Sequence, residues 1–295
     1  LFAAGRRLRR RPGAPAGVVL IAAGGLGDLV LAAQVMAPLA GLARPGEGVT
    51  LLVRRETARM GFVVPPGITV EGVDFAALTR VGPRRRLFAD LRRRNVRLVV
   101  SLDYLRHPDL DEALAFAFDA PERWAMEPRP WPKHARRLAA GRRRWTRLVD
   151  SGPLLRDKVL RLADFVQAVV ERPLPPPRLA LDPAWMPPPA VLDAPTVVIQ
   201  PFSAVRGKQC PPALYARVVE SLPPGWAVRI AGHPSDLDRN PDFRPLLDRP
   251  GVAFEPAPFA QLAPVLRAAR LVLSVDTACM HLAVVLGAPT LCLAS

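Results

Sequence analysis

Residues 271–293 constrain the fold more than any other stretch of the sequence. Leu271–Val275 is a short apolar, β-branched run, which predicts a buried parallel strand. Residues 278–286 predict one short apolar helix that ends at Gly287 in a left-handed conformation. A further strand begins at Thr290. Strand, turn, helix and strand in this order are typical of a doubly wound α/β domain.

Polar groups gather where the first of these strands ends. Asp276 and Thr277 offer side chains that can cap the helix, and the amides of Ala278 and Cys279 begin it. A helix N-terminus at the carboxyl end of a strand favours a bound phosphate. His281 lies four residues after Thr277 on the same helix face, so both can address one group. The alternative is a structural cap with a core histidine, but the convergence of these groups favours a site.

A similar pattern lies near the N-terminus. Val18–Ala22 predicts a strand, residues 24–27 a glycine turn, and residues 29–40 a helix. Asp28 lies at the predicted helix start, where the N-cap position and the helix dipole both favour a carboxylate. Residues 17–43 are apolar enough to be mistaken for a membrane span, but Asp28 would then lie near mid-bilayer, which costs roughly 2.5–3.5 kcal/mol. The spacing matches neither a dinucleotide fingerprint nor a Walker loop.

The net charge of +15 is unevenly distributed along the 295 residues. Residues 1–150 hold 27 Lys and Arg against 14 Asp and Glu, whereas residues 151–295 hold 14 against 12. This asymmetry indicates an anionic partner for the N-terminal half, such as nucleic acid, a membrane surface or a phosphorylated glycolipid. Only three basic residues are lysines, so a general bias towards Arg explains the charge equally well.

The three cysteines show neither metal-ligand spacing nor a disulfide pattern, which favours a reducing cytoplasm. The basic N-terminus has no apolar core directly after it and is therefore not expected to be a secretory signal.

Strands alternate with helices in both halves of the chain, and no internal repeat is present. Further strands are predicted at residues 49–53, 68–73, 96–102, 196–200 and 227–231, and further helices at residues 84–94, 154–171 and 258–269. Prolines crowd residues 173–195, which predicts a semi-rigid linker between domains at 1–172 and 196–295. Residues 124–147 are rich in Arg and Trp without clear periodicity. They suit an acceptor-facing loop, a membrane-surface patch or, by default, a solvated face.

Several segments resemble the heptosyltransferase family, glycosyltransferase family 9. D-T-A-C-M-H-L-A at 276–283, with G-A-P-T at 287–290, resembles the family's D-T-G-x-x-H-x-A…G-x-P segment. G-G-L-G-D at 24–28, followed by Pro38, resembles its S-x-G-D segment. Residues 201–212 resemble H-P-G-A-S…K-R-W-P, and residues 232–236 resemble G-x-x-x-E/D. The chain departs from the family where Ala278 replaces Gly and where Gln209 and Cys210 replace Arg-Trp.

The resemblance implies a GT-B-like fold in which two doubly wound, Rossmann-like domains face each other across a cleft. It implies an inverting transfer of a sugar, heptose in the first place, from an ADP-sugar to an anionic glycolipid of the lipopolysaccharide type, with Asp28 as the base. Residues expected to bind substrate are Gly25, Gly27, Ser203, Lys208, Asp236, Asp276, Thr277, Ala278 and His281. No cofactor, metal or nucleic-acid partner is expected. The protein is expected in the cytoplasm, with peripheral contact to the inner face of the membrane through its basic half.

Two other readings stay open at this point. One is a sugar-nucleotide epimerase on the same fold, and the other is an inactive homologue that binds anions. The D-x-D strings at 109–111 and 236–238 are attributed to chance in polar loops, since a divalent cation needs several converging oxygens.

Overall fold

The computed structural model describes residues 13–294, and it divides into two compact units. Residues 1–12 and Ser295 lie outside the described residues. The expectation that the basic N-terminus is not a secretory signal concerns this stretch. The first unit contains the described residues up to Gly25, Val35–Ala58 and Val64–Pro177. The second contains Leu26–Gln34, Arg59–Val63 and the residues from Arg178 onward. The domain ranges given above stay a prediction.

Parallel strands form the core of both units. In chain order they are β1 (Val18–Ala22), β2 (Val49–Arg54), β3 (Ile68–Val73), β4 (Leu98–Ser101), β5 (Glu122–Met126), β6 (Arg147–Val149), β7 (Thr196–Gln200), β8 (Ala227–Ala231), β9 (Val252–Glu255), β10 (Leu271–Val275) and β11 (Thr290–Leu293). The predicted bounds of β1, β3, β7, β8 and β10 are confirmed. These runs are nearly continuous in Val, Ile and Leu because helices cover both faces of a parallel sheet.

Helices connect the strands. They are α1 (Leu26–Ala33), α2 (Val81–Arg93), α3 (Asp111–Ala117), α4 (Ala135–Arg142), α5 (Lys158–Val170), α6 (Pro212–Ser221), α7 (Pro234–Arg239), α8 (Arg244–Leu247), α9 (Phe259–Ala268) and α10 (Ala278–Val285). In the described part of the chain, no helix combines the length and the apolar character needed to cross a bilayer.

The sheet of the first unit has the strand order β3-β2-β1-β4-β5-β6. The order reverses between β1 and β4, which creates a switch point at their carboxyl ends. There the Ala23 amide donates to Oδ2 of Asp103 over 2.7 Å. The sheet of the second unit has the order β11-β10-β7-β8-β9, with its switch point between β7 and β10. Both units are therefore doubly wound parallel α/β sheets, and the predicted fold class is confirmed for each.

A buried ion pair lies at the amino-terminal ends of strands β2 and β4 of the first sheet. Arg97 donates from Nε to Oε1 of Glu47 over 2.9 Å and from a terminal nitrogen to Oε2 over 2.6 Å. Both side chains are only 8% exposed. The hydrogen bond from Arg97 outweighs the effect of burial and lowers the pKa of Glu47 to about 2. The pair therefore links the segments that enter β2 and β4 on either side of β1.

Two sequence-based interpretations need correction. Helix α1 spans Leu26–Ala33, so it begins inside the glycine segment, and a short 3₁₀ helix at Ala37–Leu42 follows it. Pro38 lies in the first turn of the 3₁₀ helix, where proline is tolerated, and its missing N–H disfavours the single α-helix predicted to run on to residue 40. Residues 124–147 are not a loop, since they contribute most of β5, the whole of α4 and the start of β6, whereas the expected solvated face agrees with the many exposed side chains of residues 132–144. In this region Arg144 packs against the ring of Phe116 and Arg147 against the ring of Trp124. Because these packed residues are basic, the sequence shows no clear apolar periodicity.

The Glu47–Arg97 pair predicts a pH-dependent stability difference. Glu47→Gln should lower the free energy of unfolding by about 3 kcal/mol at pH 7, because Arg97 then stays buried with a weakened partner. A depressed folded-state pKa gives stability that is present above the ordinary value of 4.5 and is lost as pH falls towards about 2. The difference between parent and variant, measured by urea unfolding, should therefore shrink through this window.

The matched control is Glu71→Gln, since Glu71 pairs with Arg94 while both side chains are more than a third exposed. Its effect should stay below about 1 kcal/mol. Equal effects of the two substitutions, or a difference that does not change with pH, would contradict the assignment.

Candidate active site

The candidate active site lies at the switch point of the second unit. Gln200 ends β7 and stands opposite Ser274 of β10 in the parallel register. Helix α10 begins immediately beyond β10, at Ala278. The carboxyl ends of the two central strands and the N-terminus of a helix therefore meet at one point, which is where open α/β sheets bind ligands.

Gln200 is the centre of the hydrogen bonding at this point. Its side-chain oxygen accepts hydrogen bonds from Oγ1 of Thr277 over 2.7 Å and from Oγ of Ser274 over 3.1 Å. Its side-chain nitrogen donates to the carbonyl of Phe202 over 2.6 Å. One amide thus holds the start of α10 and the loop after β7 in a fixed relation. The sequence analysis did not select this residue, although a polar residue at the end of an otherwise apolar strand was a usable signal.

Lys208 and Asp276 form an ion pair beside this amide. Nζ of Lys208 donates to Oδ2 of Asp276 over 2.6 Å, and the two side chains are 41% and 44% exposed. The hydrogen bond from Lys208 lowers the pKa of Asp276 below its ordinary value, and the charges of Lys208 and His281 act in the same direction against partial burial. Asp276 is therefore a carboxylate at neutral pH and holds an ammonium group at the edge of the site.

The start of α10 differs from the predicted cap. Thr277 occupies the N-cap position in an extended conformation, but its side chain makes no capping hydrogen bond and instead bonds Gln200. Ala278, at the first helical position, is partly exposed. Nε2 of His281 lies 3.9 Å from Oδ1 of Asp276, so the imidazole faces the same carboxylate as Lys208. The structure therefore brings Lys208, Asp276, Thr277 and His281 together around one helix end.

Helix α1 packs against α10 within the second unit. A Cβ atom on Gly27 would lie 2.7 Å from Cδ2 of His281 and 3.5 Å from Cα of Ala278, so only glycine allows this approach. Asp28 is exposed and is the third residue of α1. It therefore lies in the first turn, where the helix dipole favours a carboxylate, rather than at the predicted N-cap. Gly25 is exposed just ahead of α1.

The two remaining predicted residues take part in local structure. Oγ of Ser203 accepts a hydrogen bond from the amide of Val205 over 3.1 Å, and its carbonyl accepts one from the side chain of Gln209 over 2.7 Å. Gln209, which replaces the family's Arg, thus closes the loop after β7. Asp236 accepts a hydrogen bond from the amide of His233 over 2.8 Å as part of a capping box on α7.

The D-x-D strings do not form a metal site among the described residues, where no group of three or more His, Cys, Asp or Glu is suitably placed. Asp109 pairs with Arg137, and Asp238 pairs with Arg244. Asp111 does not lie in a polar loop as predicted, since it is 4% exposed at the start of α3, and the amide of His107 donates one hydrogen bond shared between its two carboxylate oxygens, each 3.0 Å away. Burial, reinforced by the charge of Asp103, raises the pKa of Asp111 well above its usual range.

A pocket of about 240 Å³ lies in the first unit and was not found from the sequence. Arg106, Arg129, Arg142, Trp131 and Glu127 contribute to its wall. Arg106 is 2% exposed and is held by Glu112 and by the carbonyl of Met126. Arg106 pairs with Glu112 and Arg142 pairs with Glu127, whereas Arg129 is exposed, so Arg129 is the guanidinium group best placed to meet an anion in this pocket. The pocket lies beyond the carboxyl ends of β4 and β5, the strands after which Arg106 and Glu127 follow.

A family model matches the part of the chain that contains the candidate active site. Residues 158–293 match the model of glycosyltransferase family 9 (heptosyltransferase), which confirms the resemblance noted in the sequence. No curated protein matches the sequence significantly.

Several solved structures share the fold. The E. coli heptosyltransferase WaaC with ADP-2-deoxy-2-fluoro heptose has a TM-score of 0.72 at 17% identity, over 93% of this chain and 87% of that chain. A glycosyltransferase family 9 protein from Veillonella parvula has a TM-score of 0.71 at 18% identity, over 95% and 80%. The E. coli ADP-heptose lps heptosyltransferase II has a TM-score of 0.64 at 16% identity, over 94% and 84%. At these identities the likeness shows the fold, and the predicted GT-B-like class is confirmed.

The contact between Gly27 and His281 predicts that Gly27→Ala destabilises the parent protein but stabilises a His281→Ala variant. Gly27→Ala should destabilise the protein by about 1–3 kcal/mol, because the new methyl group overlaps the imidazole. In a His281→Ala background the overlap is removed, and the same change should stabilise α1 by up to about 1 kcal/mol, as Ala does over Gly within a helix. Thermal or urea unfolding of the four variants measures both effects.

Gly41→Ala is the matched control, because a Cβ atom there meets no atom within 4 Å. It should have the same small effect in both backgrounds. The packing argument would fail if Gly27→Ala cost the same amount with and without the imidazole.

Proposed function

We propose that the chain is an inverting glycosyltransferase, because residues 158–293 match the model of glycosyltransferase family 9. Its donor is an ADP-sugar, with heptose as the sugar, and its acceptor is an anionic glycan of the lipopolysaccharide type. WaaC is similar in fold and was solved with an ADP-linked fluoroheptose, and a second similar structure is an ADP-heptose lps heptosyltransferase. Both support this choice of donor and acceptor.

The observation that carries the proposal is the paired ammonium of Lys208 beside the open start of α10. In an inverting displacement, the acceptor oxygen bonds to the anomeric carbon while the bond from that carbon to the diphosphate breaks. The electron pair passes to the diphosphate, whose charge grows in the transition state. Lys208, the hydroxyl of Thr277 and the first amides of α10 are donors that can bind this charge. Asp276 holds the ammonium of Lys208, and His281 faces the same carboxylate.

Asp28 is proposed as the base that takes the proton of the acceptor hydroxyl. It is an exposed carboxylate in the first turn of α1, and α1 packs on α10, which carries the proposed diphosphate site. Gly27 allows α1 to approach His281 of α10 closely, and Gly25 lies exposed just ahead of α1. No step of this mechanism uses a metal ion or a cofactor.

The arginine-lined pocket of the first unit is proposed to hold an anionic group of the acceptor. Arg129 and Arg142 reach its wall, and Arg106 is fixed there by buried hydrogen bonds. A planar guanidinium binds carboxylate and phosphate groups through two parallel hydrogen bonds. Trp131 adds an aromatic face of the kind on which a sugar ring can pack. This pocket gives the basic half of the chain a specific use in place of a general attraction to nucleic acid.

Ligand stabilisation tests the donor. ADP at about 100 times its dissociation constant should stabilise the protein by roughly 2.7 kcal/mol, and Lys208→Ala should remove most of this effect at the same concentration. Lys208→Arg should also weaken it clearly, because a guanidinium does not reproduce a compact ammonium group. Calorimetric unfolding with ADP and with UDP provides the measurement.

Lys133→Ala serves as the control, since Lys133 is an exposed lysine of the first unit outside the pocket wall. The donor assignment would be wrong if ADP had no effect, or if UDP stabilised the protein and ADP did not.

Asp28→Asn separates chemistry from binding. The substitution preserves the size of the side chain at an exposed position of the first turn, so the melting temperature and ADP binding should change little. Transfer should fall by roughly 10²–10⁴-fold, as is usual when a general base is lost. The measurement is release of ADP from ADP-heptose, with and without a glycolipid acceptor.

Asp90→Asn is the control, because Asp90 is exposed on α2 and pairs with Arg93. Transfer at the parental rate by Asp28→Asn would show that another group is the base. Conversion of the donor sugar without an acceptor would favour the epimerase reading, and ADP binding without any turnover would favour an inactive homologue.

A further inference from the structure

Helix α10 begins at a cap residue that does not cap it. Thr277 occupies the N-cap position in an extended backbone conformation, with φ −144° and ψ 176°, but its side chain makes no hydrogen bond to the first turn. A threonine at this position ordinarily accepts a hydrogen bond from the second or third amide of its helix. The hydroxyl group of Thr277 is therefore turned away from the helix that it would be expected to close.

The first turn of α10 consequently keeps open amides. Among the residues that the structure describes, none accepts a hydrogen bond from the amide of Ala278, Cys279 or Met280. His281 is the first residue of the helix to make a backbone bond, donating to the carbonyl of Thr277 over 3.3 Å. Ala278 and Met280 are partly exposed. Open amides at the start of a helix attract an anion, because the helix dipole adds to their own partial charge.

Gln200 is the group that turns the hydroxyl away. Oγ1 of Thr277 donates to Oε1 of Gln200 over 2.7 Å, whereas the carbonyl oxygen of Val275 lies 3.3 Å from the same hydroxyl. A hydroxyl group has one proton, so the nearer acceptor decides where Oγ1 lies. Gln200 thus competes with the first turn of α10 for this side chain and holds it at the end of the sheet.

The loop after β7 fixes the Gln200 amide in this orientation. Its Nε2 atom donates to the carbonyl of Phe202 over 2.6 Å, and rotating the amide by half a turn would set its oxygen against that carbonyl. Phe202 is 3% exposed and lies so close to Gly232 that a Cβ atom there would be 2.7 Å from its ring. The acceptor oxygen of Gln200 is therefore directed at Thr277 by a packed segment of backbone.

We propose that Gln200 is a positioning residue of the candidate active site, which keeps Thr277 from capping α10 and so keeps the amides of the first turn available for the diphosphate of the donor. This inference rests on the proposed function and adds to it a residue that acts through Thr277 rather than by touching the ligand. A capped helix would bind the diphosphate only after the cap had opened, and the affinity would fall by the equilibrium constant of the cap. For an ordinary N-cap that constant is roughly 2- to 30-fold.

A double-substitution cycle on the full chain tests the inference by calorimetric titration with ADP. Gln200→Met keeps the length of the side chain but removes its acceptor, so it should raise the dissociation constant of ADP roughly 2- to 30-fold in the parent. In a Thr277→Val background the same change should leave the constant unchanged, because no hydroxyl group remains to cap the helix. This comparison holds whatever the hydroxyl itself contributes to binding.

Gln167→Met is the matched control, since the side chain of Gln167 holds the amide of Leu174 in the first unit. This variant should bind ADP as the parent does.

Amide hydrogen exchange gives a second measurement, which a merely structural role of Gln200 would not move. In the ADP-free parent the amides of Cys279 and Met280 should exchange much faster than the amides of the last turn of α10. Gln200→Met should slow the exchange of at least one of them by a factor similar to the loss of affinity, because the cap bond then forms. Adding Thr277→Val should restore fast exchange.

Equal rises of the dissociation constant in the two backgrounds would overturn the inference, because Gln200 would then act without Thr277. No rise in either background, or first-turn amides that are already protected in the ADP-free parent, would also overturn it. In these cases a parent that binds ADP leaves the proposed function in place. A parent that does not bind ADP contradicts the proposed function itself, and this inference with it.

Discussion

The parallel pairing of β7 with β10 is the constraint on which the candidate site depends. It sets Gln200 opposite Ser274, and one side-chain amide then accepts from two hydroxyl groups while it donates to a backbone carbonyl. A slip of the register by one residue would turn these side chains to the other face of the sheet. The positions of Thr277 and of the loop that carries Lys208 follow from this single arrangement.

Close approach of two helices is the second constraint. Gly27 lets α1 lie against α10 at His281, so the imidazole is positioned by a neighbouring backbone as well as by Asp276. A residue with a side chain at this position would force the ring out of its place. The glycine segment before Asp28 therefore has a packing role in addition to its role in the turn.

Much of the fold could be predicted from the sequence because buried parallel strands leave a strong local signal. Five strand boundaries, including those of β7 and β10, follow directly from β-branched apolar runs. Around the missed elements β5, α4 and β6, Arg144 covers the ring of Phe116 and Arg147 covers the ring of Trp124, so burial there depends on contacts distant in sequence. The same limit applies to the site. Lys208 and Asp276 were both selected as binding residues, but their pairing across 68 positions, and the role of Gln200, exist only in the folded chain.

The pairing of Lys208 with Asp276 has a consequence for selectivity. An ammonium group that a carboxylate already neutralises attracts a stray anion weakly, because the anion must either displace the carboxylate or approach it. Orthophosphate offers one charged group for that exchange and gains little from it. In the proposed binding mode a diphosphate would span the ammonium and the helix amides at once, so its second group would bind at a high effective concentration after the first. On that proposal the internal salt bridge would favour ligands with two linked anionic groups over single small anions.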